Sequence, residues 1–181
     1  MTSTEVAKPL VITPEPTQQK QPSPSPSPSP IPNVMSSGWT SRAQRYAPTI
    51  NRVAQQYAID ADMLAALIAI ESTWNAGAIS VAGACGLTQV MPKGVAAWTA
   101  GRPTCYVLTT NPTFAIEYGT HLLVIMYQHE NGNWERALGS YLCGYPDSVT
   151  GTWETPAQDG HCRDYAQRVM ALADSMKTLD D

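Results

Sequence analysis

The chain has 181 residues and a formal net charge of -4, with 11 Lys and Arg against 15 Asp and Glu. That length holds one domain and a tail. The mild acidity leaves no basic footprint for nucleic acid, and the longest apolar stretch, Met63–Ile70, is far too short to span a bilayer.

Residues 1–37 contain no aromatic residue and nine of the fifteen prolines, with strict Pro-Ser alternation from Pro22 to Pro30. Such a segment cannot bury enough apolar surface to offset chain entropy, so it reads as a disordered, partly polyproline II spacer. Its first residues offer Lys8 and only Leu10, Val11 and Ile12 as an apolar patch, and no signal peptide is visible in them. This leaves a cytosolic chain, one exported without a standard leader, or one whose leader has been removed. From about residue 38 to 181 the composition is that of one globular domain.

Helical periodicity dominates that domain, and an all-α fold of about six helices is expected. Tyr46, Ile50, Val53, Ala54 and Tyr57 mark a first helix, with Pro48 in its opening turn. Asp60 can cap a second helix that runs through Glu71. The Gly-, Ala-, Ser- and Asn-rich stretch Trp74–Leu87 reads as a loop. Asn111-Pro112 is a cap and first-turn proline for a long helix that Gly132 stops. Trp134–Tyr141 gives a shorter helix, and Tyr165, Val169, Leu172 and Met176 mark the last.

The four cysteines, Cys85, Cys105, Cys143 and Cys162, form no CxxC pair, which argues against zinc. No metal or cofactor is expected. Two disulfides or four free thiols remain, and four cysteines allow three pairings. The local pairs Cys85–Cys105 and Cys143–Cys162 are the expectation, which implies an oxidising destination.

One carboxylate is out of place. Met63, Leu64, Leu67, Ile68 and Ile70, with alanines between them, go round the second helix, so that helix belongs in a core. Glu71 ends it. Desolvation and the negative end of the helix dipole both favour its protonated form, and no basic residue lies between Arg52 and Lys93 to offset them. A carboxylic acid kept protonated near neutrality suits general acid catalysis; a surface glutamate on a frayed helix end is the plainer reading. From Ser72 to Ile116 there is no Asp or Glu. Paired-carboxylate glycosidase chemistry would need a distant partner such as Glu117, Glu130, Asp147 or Asp159, so the pattern favours a single acid.

The stretch ESTWNAGAISVAGACGLTQVMP, Glu71–Pro92, closely resembles the core of soluble lytic transglycosylases, which share the goose-type lysozyme fold. NPTFAIEYGTHLLVIMYQHENGNWERALGSYLCG, Asn111–Gly144, and DYAQRVMAL, Asp164–Leu172, are similar to the family's later helices. The resemblance implies a lysozyme-like helical domain that cleaves the β-1,4 bond between N-acetylmuramic acid and N-acetylglucosamine in peptidoglycan. It makes Glu71 first the acid and then the base, with a 1,6-anhydro sugar as product. It also assigns Ser72, Gln89, Met91, Tyr141 and Tyr165 to substrate binding, with the Tyr141 hydroxyl pointing at the acid. Each has a plainer reading: a helix-cap hydroxyl for Ser72, a surface amide for Gln89, core packing for Met91 and Tyr141, and either role for Tyr165.

The chain departs from the family pattern at Thr88 (usually Met), His121 (commonly Tyr), Leu142 (the motif Asn) and Cys143 (a small residue). Leu142 cannot hydrogen-bond, and a disulfide at Cys143 would substitute a covalent tie. The expected protein is a monomer acting outside the cytoplasm, in the periplasm, secreted or on a virion, with peptidoglycan strands as its partner. A lysozyme-type hydrolase on the same fold, and a catalytically weak wall-binding or assembly module of a virion or secretion apparatus, are the other readings.

Overall fold

A computed structural model describes residues 39–93, 102–146, 150–153 and 155–177. The Pro/Ser-rich tail expected over 1–37 and the acid Asp147 lie outside them. Among the described residues there are seven helices and no strand longer than an isolated bridge, so the all-α expectation holds.

Two short elements open the domain. α1 (Ser41–Gln44) starts where Thr40 Oγ1 accepts from the Ala43 amide, and α2 (Ala47–Tyr57) carries Pro48 in its first turn. Its apolar stripe, Ala47, Ile50, Val53 and Ala54, is buried. The chain then turns through Ala58, in the left-handed region, into α3 (Ala61–Ser72).

α3 begins where Asp60 Oδ1 accepts from the Asp62 amide at 2.9 Å. Every residue from Ala61 to Ile68 is buried, which is what an all-round apolar sequence requires. Leu64, Leu67 and Ile68 are fully enclosed, and each contributes about 1.5–3 kcal/mol by leaving water. Asp62 is buried on this helix and accepts from Trp39 Nε1 at 2.6 Å. α3 is therefore a rigid central rod with Glu71 near its C-terminal end.

α4 (Cys105–Thr110) is capped by Thr104. It was not among the expected helices, because CYVLTT has no apolar period and is rich in β-branched residues. α5 (Pro112–His129) starts on Asn111, whose Oδ1 accepts from the Phe114 amide at 3.1 Å. It stops where the Gly132 amide, with positive φ, returns to the Tyr127 carbonyl. α6 (Trp134–Cys143) is capped by Asn133.

α7 (Pro156–Lys177) starts well before the stretch expected at Tyr165. Thr155 Oγ1 accepts from the Gln158 amide at 3.1 Å. The Thr155-Pro156 pair is the same cap-then-proline signal as Asn111-Pro112, obscured by the polar first turns and Gly160. α7 packs on both α6 and α3. The loop after α3 folds back on itself through bridges Ile79–Cys85 and Cys85–Val90. At Gly86, φ is +78° and an added Cβ would meet the Leu108 carbonyl at 2.3 Å, so only glycine fits between this loop and α4.

Candidate active site

Glu71 is half-buried at the penultimate position of α3. The Tyr165 hydroxyl, from α7, donates to Glu71 Oε1. Burial pushes the carboxyl up to about 7, and the Tyr165 hydrogen bond offsets part of that rise by stabilising the charged form. The group thus lies near half-protonation at neutral pH, where it can give a proton and then take one.

Tyr141, from α6, stands close enough for the Glu71 charge to act on it. Its phenol is pushed up by burial first and by that charge second. Its hydroxyl does not meet the acid, contrary to the family expectation; it donates to the Thr88 carbonyl at 2.7 Å. Tyr165 makes the direct contact. Burial and the Glu71 charge also hold the Tyr165 phenol well above its ordinary value, so both tyrosines stay protonated donors.

Thr88 explains how the loop is fixed under Tyr141. Its hydroxyl donates to the Ala115 carbonyl of α5 at 2.9 Å, and its side chain is fully buried against Gly119. A methionine could not make that bond. The neighbouring Gln89 has a left-handed backbone, φ 47°. Its Nε2 donates to the Gly86 carbonyl at 2.9 Å and the Ala78 carbonyl at 3.3 Å, which braces the turn. Ser72 is buried, and its hydroxyl donates to the Ile68 carbonyl at 3.1 Å inside its own helix.

Two grooves meet at Met91, which is 40% exposed. One, of about 310 Å³, is walled by Gln89, Leu122, Met126, Tyr141 and Leu142. The other, of similar volume, is walled by Ile79, Pro92 and Lys93 and floored by Cys85 and Cys105. Of the sequence-predicted residues, Gln89, Met91 and Tyr141 line the first groove, and Tyr165 holds the acid. Glu71, Ser72 and Tyr165 are not among the residues that line these two grooves.

The cysteines pair as Cys85–Cys105 and Cys143–Cys162, with Cα atoms 5.4 and 6.1 Å apart. The first ties the loop to α4 and the second ties α6 to α7.

A polar cluster beside the first groove has no signal in the sequence. Glu130, at the end of α5, is buried and receives Arg136 Nε at 2.7 Å and the Ser140 hydroxyl at 3.3 Å. Arg136 also reaches the Gly151 carbonyl at 3.0 Å. The cluster braces the α5–α6 corner, where Ser140 and Tyr145 line the first groove. No spacing signal marks it, because Glu130 is the C-cap of α5 and Arg136 belongs to α6.

Among the described residues, the three distant acids named as partners for Glu71 are engaged elsewhere. Glu117 pairs with Arg52 at 2.6 Å, Glu130 with Arg136 and Asp159 with Arg163 at 2.8 Å. Among the described residues no group of three or more His, Cys, Asp or Glu could hold a metal ion, and no helix is long and apolar enough to cross a membrane.

A family profile described as the transglycosylase SLT domain matches residues 48–157. Over 61 residues the chain is 44% identical to membrane-bound lytic murein transglycosylase C of Haemophilus influenzae strain PittEE, and the match covers 34% of this chain and 16% of that protein. It is 46% identical over 61 residues to the protein of the same name from Histophilus somni strain 2336, covering 34% and 15%. The matched segment is thus a small part of those relatives. Among solved structures, the 70 kDa soluble lytic transglycosylase of Escherichia coli aligns with a TM-score of 0.59 at 23% identity, covering 74% of this chain and 24% of that one. An inactive mutant of lytic transglycosylase Slt from Pseudomonas aeruginosa aligns with a TM-score of 0.56 at 21% identity, covering 72% and 24%. At that identity the structural likeness establishes the shared helical fold.

Proposed function

Since the chain belongs to the transglycosylase SLT domain family, we propose that it is a peptidoglycan lytic transglycosylase with Glu71 as its only catalytic carboxylate. The observation that supports this is the setting of Glu71: burial holds it near neutrality, Tyr165 donates to it, and among the described residues no second carboxylate contributes to the shift. A paired-carboxylate mechanism needs two such groups flanking the bond.

In this reading, Glu71 gives its proton to the oxygen between N-acetylmuramic acid and N-acetylglucosamine, and the bond from that oxygen to the muramoyl anomeric carbon breaks. The acetamido group of the muramoyl sugar stabilises the positive carbon left behind. The ionised Glu71 then takes the proton of the muramoyl 6-hydroxyl as that oxygen bonds to the anomeric carbon. The products are a 1,6-anhydromuramoyl end and an N-acetylglucosamine end, with no water consumed and Glu71 protonated again. Tyr165 steadies the carboxylate while it is charged, and the groove along Gln89, Met91 and Tyr141 receives the glycan.

The site is built within one chain, so a monomer suffices. Two disulfides suit an oxidising compartment, which supports action outside the cytoplasm, where peptidoglycan lies. Mass spectrometry of the products released from purified peptidoglycan tests the reading. Anhydro ends are expected; reducing ends would make the protein a hydrolase, and binding without release would make it a wall-binding module. Glu71→Gln is expected to lower release at least a thousandfold with the fold retained, and wild-type activity in that variant would overturn the mechanism.

A further inference from the structure

α7 delivers Tyr165 to the acid and α6 places Tyr141 within reach of its charge, and what holds these helices in register lies beside both. Cys143 is the last residue of α6, two positions after Tyr141. Cys162 is fully buried on α7, three positions before Tyr165 and so nearly one turn away on the same side. At Gly139 an added Cβ would meet the Trp153 ring at 2.7 Å and the Cys162 carbonyl at 3.4 Å, so the helices touch there without room for a side chain. Trp153 is buried over this contact, and its Nε1 donates to the carbonyl of Gly144, the C-cap of α6, at 2.7 Å.

The last turn of a helix has carbonyls without helical partners and frays unless they are satisfied. Leu142 lies in this turn, is 39% exposed to the groove and has no polar side-chain group with which to hold it. Beyond the Gly144 amide on the Ser140 carbonyl at 2.8 Å and the Tyr141 hydroxyl on the Thr88 carbonyl, the turn is tied to α7 and Trp153 by the sulfur bridge at Cys143 and the indole at Gly144. We propose that the Cys143–Cys162 disulfide and the Trp153–Gly144 hydrogen bond together form a positioning device for the reaction, fixing α6 against α7 so that Tyr165 meets Glu71 and Tyr141 stands beside it.

This rests on Glu71 being the acid. A displacement of about 1 Å in such a constellation can cost on the order of a hundredfold in rate. Releasing the tie would both loosen the Tyr165 bond, which raises the proton affinity of Glu71, and admit water, which lowers it; of these two opposed influences burial is the larger. A bridge serving stability alone would lower the melting temperature and leave the pH midpoint where it is.

The test uses the full chain carrying Cys143→Ala and Cys162→Ala, purified under oxidising conditions. Two quantities are read: the rate of peptidoglycan release across pH, split into kcat and KM, and the carbon-13 titration of the Glu71 carboxyl, assigned by its disappearance in Glu71→Gln. The expected result is a folded protein with kcat at least tenfold lower, KM little changed, and a Glu71 midpoint moved down from about 7 toward 4.5. A folded double variant with wild-type kcat and midpoint overturns the proposal. Should the double variant fail to fold, Trp153→Phe decides. It keeps the disulfide and an aromatic ring and removes the indole donor; a severalfold fall in kcat with the midpoint moving down supports the proposal, and unchanged values overturn it. Absence of release by the wild-type protein would overturn the transglycosylase reading instead, while the Glu71 titration would still decide the positioning role.

Discussion

Glu71 places a stability cost at the site of the chemistry. In the folded protein its carboxyl is pushed up to about 7 from an ordinary value of 4.5. Between those two pH values the folded state holds a proton that the unfolded state has released. Stability therefore falls as pH rises through this window and is lowest above it. Below pH 4.5 both states are protonated and nothing is lost. Glutamine keeps an oxygen that can accept from Tyr165 and carries no charge to desolvate. Glu71→Gln is thus expected to stabilise the fold by about 1–3 kcal/mol at pH 8 and by close to nothing at pH 4. Urea midpoints of the two proteins at both pH values check this. Equal stability at pH 8 would show that the carboxylate is solvated rather than buried.

At the scale of elements, the site depends on how the loop after α3 is seated on α5. The contact is Gly119 against Thr88, where an added Cβ would come within 2.4 Å of the Thr88 Oγ1 and 2.5 Å of its Cβ. Thr88 cannot swing away without breaking its bond to the Ala115 carbonyl, and its own carbonyl holds Tyr141. Gly119→Ala is expected to destabilise the protein by about 1–3 kcal/mol, as overpacking does, and to lower peptidoglycan release with it. Thermal melts and release assays on the purified variant test both, and an unchanged melting temperature would mean that the loop is free to shift. Nothing in the order of residues announces Gly119 or Thr88, because their contact joins elements far apart in the chain. α3 is the opposite case. Its unbroken apolar run announces burial on every face, and so announces that Glu71 is held near a core. Tyr165 falls between the two: the closing-helix likeness named it, but its bond to Glu71 spans 94 positions and exists only because α7 lies across α3. Tyr141 shows the same limit, since the likeness aimed its hydroxyl at the acid and its hydrogen bond goes to the Thr88 carbonyl, 53 positions away.

Over the whole molecule, the two disulfides tie two different parts of the fold. Cys85–Cys105 closes a separation of 20 residues and fixes the loop that carries Thr88 and Gln89, while Cys143–Cys162 closes 19 and fixes the helices that carry the tyrosines. Each closure removes unfolded-chain entropy worth about 3 kcal/mol by loop length. Domains of this size are stable by only about 5–15 kcal/mol in total, so the pair accounts for a large share. α3 gains from neither bridge directly, since its stability comes from buried apolar surface. Reduction should therefore loosen the walls of the site before it unfolds the central rod. The expectation is that a phosphine reductant lowers the melting temperature by at least 10 °C. At 25 °C it should abolish peptidoglycan release while leaving most of the far-ultraviolet helical signal. Melting curves, circular dichroism and release assays on one reduced sample give all three readings. Full release by reduced protein, with thiol alkylation confirming four free cysteines, would show that the walls hold their places through packing alone.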